Sequence, residues 1–173
     1  HLSIRRQRQM CIRDRFCTNP GLVLGIRSPE FSAFLHSLTA KMAEQPPQTL
    51  LNAGGLEGYG KGIAALAAHP GITHLAGAAQ EGKQARPQLF KADVSLLLEG
   101  DERLQEEVFG PTTIVVEVAD QAELLEAVKG LHGQLTATLI TEPGDLAGSE
   151  ELFALLEQKV GRVLFNGYPT GVE

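Results

Sequence analysis

From Thr112 onward the chain alternates strand-like and helix-like periodicities, and that alternation narrows the folds open to it. Thr112 to Val118 is rich in β-branched residues, a pattern that suits a strand. Asp120 followed by Glu123 makes a capping-box-like start and predicts a helix with Leu124, Leu125, Val128 and Leu131 on its inner face. Leu135 to Ile140 predicts the next strand. Ser149 then caps a helix burying Leu152, Phe153, Leu155, Leu156 and Val160, with Gly161 at its end, and Arg162 to Phe165 reads as a further strand. Strands separated by helices of this length imply crossover connections, which parallel pairing needs. The predicted fold class is α/β, built on a parallel sheet.

The first two thirds carry the same grammar less clearly. Ser28-Pro29-Glu30 supplies an N-cap, a proline at the first helical position and an early acid. Phe31, Phe34, Leu35, Leu38 and Met42 mark one face of the helix that follows, and Pro46-Pro47 stops it. A second helix is predicted from about Asn52 to His69, with Leu56, Ile63 and Leu66 inward. Ile72 to Ala76 and about Gln88 to Val94 read as short strands. After the break at Gly100-Asp101, a short helix is predicted over Glu102 to Glu107. No internal repeat, low-complexity tract or linker interrupts this pattern.

The start of the chain has a different character. Arg5 to Asp14 reproduces, residue for residue, the in-frame translation of a common transposase-tagging oligonucleotide, and Arg15 is compatible with its trailing bases. The bland alternative is a basic tail that binds nucleic acid or an acidic surface. Residues 1–15 are therefore expected to be non-native, with the native protein starting at about Phe16. Setting them aside removes five of the fifteen Lys/Arg and one of the twenty-one Asp/Glu, which moves the net charge from −6 to −10. An acidic body with scattered charges argues against nucleic acid or an anionic membrane as partner. With Cys11 gone, Cys17 stands alone; a single cysteine makes no disulfide framework and suits a reducing cytoplasm. No apolar run approaches the ~20 residues that span a bilayer. Residues 16–173, in a chain that is 43% apolar, are enough for a domain with a core.

Two segments carry chemistry. Cys17 stands on a turn, where Asn19-Pro20-Gly21 breaks the chain before the apolar Leu22-Val23-Leu24. A thiol so placed has access and neighbouring backbone N–H groups, as a nucleophile needs, yet free cysteine is also a common buried hydrophobe. Glu107 and Phe109, in Glu106-Glu107-Val108-Phe109-Gly110-Pro111, read equally as ligand contacts or as a solvated helix-end acid and a core ring. Gly55-Leu56-Glu57-Gly58-Tyr59-Gly60-Lys61-Gly62 nearly spells a phosphate loop, but Gly62 stands where a magnesium-binding hydroxyl belongs and no strand leads in. Close packing or a flexible helix is the better reading. His36, His69, His74 and His132 lack metal-ligand spacing and are expected to be surface or satisfied structural residues, so no metal is expected.

Phe16-Cys17-Thr18-Asn19-Pro20-Gly21, read with Glu106-Glu107-Val108-Phe109-Gly110-Pro111, resembles the catalytic-cysteine and E-x-F-G-P cofactor segments of the aldehyde dehydrogenase superfamily. The resemblance spans Phe16 to Glu173. It implies a partial catalytic domain, truncated at both ends, without the nucleotide-binding domain or the C-terminal oligomerisation segment. Asp14-Arg15 stand where the family has Gly-Gln, inside the adapter-like stretch, so that departure reads as truncation. By resemblance, Cys17 attacks the aldehyde and carries the thioester, Glu107 hydrogen-bonds the nicotinamide ribose hydroxyls of NAD or NADP, and Phe109 packs beside the nicotinamide ring. Phe16, Thr18, Tyr168, Pro169 and Thr170 would line the substrate tunnel.

Within the superfamily, Cys17 to Val23 and Val163 to Val172 look like the α-ketoglutaric semialdehyde (2,5-dioxovalerate) dehydrogenases, which close sugar-acid and hydroxyproline catabolic routes. Broad-specificity and long-chain NADP-dependent aldehyde dehydrogenases share a similar cysteine segment. A non-catalytic α/β binding module, with Cys17 in its core, is the reading from another class. The family's general base, oxyanion Asn and ribose-selecting residues lie upstream of this chain. The fragment alone is therefore expected to be inactive, the full-length parent homo-oligomeric, and NAD or NADP preference unreadable.

Overall fold

The computed structural model describes residues 21–50, 52–78, 82–142, 144 and 148–167. Their elements fall into two compact units, Pro20–Gly130 and the segment from Leu131 onward. In the first, β1 (Leu22–Ile26) leads to α1 (Pro29–Ala43), β2 (Gln48–Thr49), α2 (Ala53–Ala67) and β3 (Ile72–Ala76). β4 (Gln84–Ala85), β5 (Gln88–Ala92), α3 (Val94–Leu98), α4 (Glu102–Gln105), β6 (Thr112–Val118) and α5 (Gln121–Gly130) follow.

α1 begins as its sequence predicts: Ser28 Oγ accepts the Phe31 N–H at 3.0 Å, with Pro29 at the first helical position. Phe31, Leu35, Leu38 and Met42 recur every three or four residues, and this stripe packs with Val23 and Leu75 against buried Ala76, Leu89 and Val115. Phe34, expected on that face, is exposed and instead stacks on Phe31 at 5.8 Å between ring centroids. Three residues from Phe31, it sits at the rim of the stripe.

Four strands pair in the order β1-β6-β5-β3. β6 is central, parallel to β1 (Leu22 opposite Ile114) and to β5 (Phe90 opposite Ile114). It is buried almost throughout on both faces, which its run of β-branched residues suits. β5 and β6 are joined through α3 and α4, the crossover that parallel pairing requires. The expectation of a purely parallel sheet needs correction at one edge, where β3 runs antiparallel to β5 with a bulge after His74. The physical reason is the connection: among the described residues no helix lies between β3 and β5, so the chain returns antiparallel. The strand expected to reach Val94 stops at Ala92, because Asp93 opens α3.

α3 and α5 pack on β6, and α5 also on β1. α5 has the reciprocal cap read from its sequence: Asp120 Oδ1 accepts the Glu123 N–H at 2.9 Å, and Glu123 Oε2 accepts the Ala119 N–H at 2.5 Å. Ala127 and Val128 are its buried residues, whereas Leu124 and Leu125 are half-buried and Leu131 lies beyond its end.

In the second unit β7 (Gln134–Leu139) and β8 (Val160–Phe165) pair in parallel through α6 (Glu150–Lys159), the predicted crossover unit. Leu152 and Leu156 are buried; Phe153, Leu155 and Val160 are half-buried. Three expectations are corrected. Ile140 lies past the strand and is 78% exposed. Ser149 makes no side-chain cap bond; Glu150 Oε2 instead accepts the Gly148 N–H at 3.1 Å. Gly161 does not end α6, because Val160 is already extended and pairs with Gln134, leaving Gly161 inside β8.

On β6, Glu117 takes Arg27 Nε at 2.8 Å and Lys91 Nζ at 3.5 Å. The Arg27 hydrogen bond holds its carboxyl below the ordinary glutamate value of 4.5, against a smaller opposing effect of burial. A carboxyl lowered in the folded state adds stability above its unfolded value and loses it as pH falls through the folded one. Because Arg27 is largely exposed, Glu117→Gln should cost at most ~1 kcal/mol at neutral pH, a difference that shrinks as the pH falls from neutral through the acid range. Denaturant unfolding of both proteins across that range measures it, and a gap as large at the acid end contradicts the assignment. Among the described residues no helix is long and apolar enough to cross a membrane.

Candidate active site

The Glu106–Pro111 segment is set by the short elements before it and by the helix it lies on. Gly100, at φ 72°, turns the chain out of α3, and Asp101 Oδ1 accepts the Arg103 N–H at 2.8 Å to start α4. That bond holds the Asp101 carboxyl below its ordinary range. The other oxygen of Asp101 meets His69 Nε2 at 3.2 Å, while His69 Nδ1 accepts the Gly71 N–H at 3.2 Å. The latter bond leaves Nε2 as the proton-bearing nitrogen that donates to Asp101. α2's end is thereby tied to the turn that launches the segment. His74 in turn meets Gln88 Oε1 at 2.8 Å, so both histidines are satisfied structural residues, as the sequence suggests.

α4 is one turn long, shorter than the helix predicted to reach Glu107. Glu106 is already extended, at φ −66° and ψ 127°, and Glu107 is not a helix-end residue. Docking of the next residues onto α2 accounts for this. Val108 sits on Gly62, where a Cβ would lie 2.8 Å from Val108 Cγ1. Gly110 sits on Tyr59, whose ring occupies the place a Gly110 side chain would take. Val108 and Gly110 therefore face α2, while Glu107 is exposed and Phe109 half-buried.

The near-phosphate loop is thus a helix surface. Gly55 to Gly62 lie within α2, with the Gly55 N–H donated to the Asn52 cap at 2.7 Å. Helical N–H groups are spent on the helix and cannot cradle a phosphate. Of the two readings favoured for that stretch, close packing is what Gly62 provides. Sequence reasoning gave Tyr59 no role, yet it is only 1% exposed and its hydroxyl donates to the Arg86 carbonyl at 2.6 Å. An aromatic residue amid helix glycines was the available signal.

Of the eight residues singled out from the sequence, the structure describes Glu107 and Phe109 and sets them on one segment. Phe16, Cys17, Thr18, Tyr168, Pro169 and Thr170 lie outside the described residues. The chain heads toward the last three from Asn166, which has φ 47° and exchanges two 2.9 Å side-chain bonds with the Thr141 backbone. Chemically, the exposed Glu107 carboxylate can accept both hydroxyl hydrogens of a diol, and Phe109 adds an apolar ring beside it.

No protein-family model matches the chain. It is 50% identical over 161 residues to the α-ketoglutaric semialdehyde dehydrogenase of Acinetobacter baylyi, across 92% of this chain and 31% of that protein. Against α-ketoglutaric semialdehyde dehydrogenase 2 of Azospirillum brasilense it is 38% identical, across 92% of this chain and 30% of the relative. Its fold matches the NAD+ complex of aldehyde dehydrogenase from Bacillus cereus with a TM-score of 0.67 at 21% identity, covering 88% of this chain and 31% of that one. The fold so defined is that of the aldehyde dehydrogenases, and the chain is similar in sequence to a segment of two of them. It spans about a third of the length of these two relatives, each an α-ketoglutaric semialdehyde dehydrogenase.

Proposed function

We propose that the protein containing this chain oxidises an aldehyde to a carboxylate through a Cys17 thioester, with α-ketoglutarate semialdehyde as substrate and 2-oxoglutarate as product. The observation that carries this is the 50% identity to the Acinetobacter baylyi enzyme along nearly the whole chain. In this reading residues 1–15 are a non-native leader and residues 16–173 part of the catalytic domain of a cytoplasmic homo-oligomer.

The Cys17 thiolate adds to the aldehyde carbon, forming a carbon–sulfur bond and a thiohemiacetal oxyanion. Its own N–H would help hold that oxyanion. NAD or NADP, when bound, supplies the two-electron acceptor that the oxidation to a thioester requires. Glu107 would hold the nicotinamide ribose through its hydroxyls, and Phe109 would limit where the ring can sit. Water, activated by a base outside this chain, then cleaves the thioester and frees Cys17. Phe16, Thr18, Tyr168, Pro169 and Thr170 would shape the tunnel around the aldehyde.

The test is turnover by the full-length protein. With α-ketoglutarate semialdehyde and NAD+ or NADP+, reduced nucleotide and 2-oxoglutarate should form in equal amounts. The kcat/KM for that substrate should exceed that for medium- and long-chain aliphatic aldehydes by at least about tenfold. Equal or better use of the aliphatic aldehydes would overturn the substrate assignment.

A further inference from the structure

We infer that Tyr59 and Gly62, on α2, are positioning residues for the Glu107–Phe109 segment, an inference that rests on the cofactor role proposed for Glu107. Glu107 lies past the end of α4 and is exposed, so neither a helix nor burial of its own side chain fixes it. What fixes its backbone lies in the residues just after it. Val108 rests on the bare Cα of Gly62, and Gly110 rests on the Tyr59 ring, both too closely for any side chain at the glycine.

Tyr59 is anchored in turn at its far end. Its hydroxyl donates to the Arg86 carbonyl at 2.6 Å and lies 3.4 Å from the Pro111 carbonyl. Pro111 is itself tied to β5, since its carbonyl accepts the Gln88 N–H at 2.8 Å. The ring is thus clamped between α2, the approach to β5 and the start of β6. It presents one fixed surface to Gly110. A buried ring held at its hydroxyl has a single orientation, and interiors packed this closely transmit small shifts instead of absorbing them.

The consequence is specific to the cofactor. A carboxylate that holds a ribose diol sets where the nicotinamide carbon stands relative to the thiohemiacetal, and displacements of a fraction of an ångström cost rate steeply. Tyr59→Phe removes one hydroxyl and keeps the ring; Gly62→Ala adds one methyl against Val108. Both should move the Glu107–Phe109 segment while leaving the aldehyde site untouched.

The experiment compares Tyr59→Phe, Gly62→Ala and Glu107→Gln in the full-length protein. Readouts are KM for NAD(P)+, KM for aldehyde, the single-turnover burst of reduced nucleotide, deacylation of a preformed thioester, and melting temperature. Expected for Tyr59→Phe and Gly62→Ala is a burst slowed about tenfold or a comparable rise in nucleotide KM, with aldehyde KM and deacylation near wild type. Glu107→Gln should show the same split more strongly. If Glu107→Gln shows it and the two α2 variants only melt earlier, the positioning role is overturned and the Glu107 reading stands. If Glu107→Gln leaves burst and nucleotide KM unchanged, the Glu107 reading fails and the positioning role fails with it.

Discussion

Replacing Cys17 with alanine in the full-length protein is expected to lower aldehyde oxidation by at least about 10³-fold, to background. The proposed route needs a nucleophile that leaves as easily as it attacks, and within this chain Cys17 is the residue the resemblance assigns to it. Mass spectrometry should then find no covalent acyl-enzyme after mixing with aldehyde, while nucleotide binding persists. Cys17→Ser should keep a trace, because an alcohol is a far weaker nucleophile near neutral pH. Thiol labelling supplies the converse: a nucleophile reacts rapidly and is protected by aldehyde, whereas a core cysteine reacts only on unfolding. Near-wild-type turnover in the alanine protein would remove the nucleophile and favour the non-catalytic reading.

The second large effect is expected on stability. Gly110→Ala places a methyl group inside the Tyr59 ring, and neither the α2 backbone nor the clamped hydroxyl lets that ring retreat. Gly110 does not have a positive φ, so the cost comes from overlap and not from backbone strain. Overpacking of this kind costs about 3 kcal/mol or more. Tyr59→Ala alone should cost about 3–5 kcal/mol through the cavity it leaves. The two together should cost clearly less than their sum, since the added methyl enters the space the ring vacates. Denaturant unfolding of the full-length protein measures the cycle, and strict additivity would mean that the two residues do not meet as described.

Caps and stripes were legible because they are local. Ser28 and the Asp120–Glu123 pair act within one helical turn, and each makes its expected bond. Strands β3 and β6 were read with the bounds they have, Ile72–Ala76 and Thr112–Val118. The misreadings cluster where a partner distant in sequence decides. Gly161 looked like a helix stop, but Val160 pairs with Gln134 and draws the chain straight into β8. Glu107 looked like a helix end, but the docking of Val108 and Gly110 on α2 pulls the segment into extended form.

The candidate site divides along the same line. The residue types that carry the chemistry, a turn cysteine and an acid two places before a phenylalanine, are properties of the string, and so is the likeness to aldehyde dehydrogenases. Which surface holds the acid in place is not, because Tyr59 and Gly62 are some fifty residues from the segment they support. Sequence determined the α/β alternation, the helix starts and the candidate chemistry, since these depend on side-chain period and short-range hydrogen bonds. Tertiary structure alone decided the antiparallel edge strand, the end of α4 and the role of the α2 glycines. Each of those is a choice between locally similar backbone states, and contacts between residues far apart in the chain supply the deciding free energy.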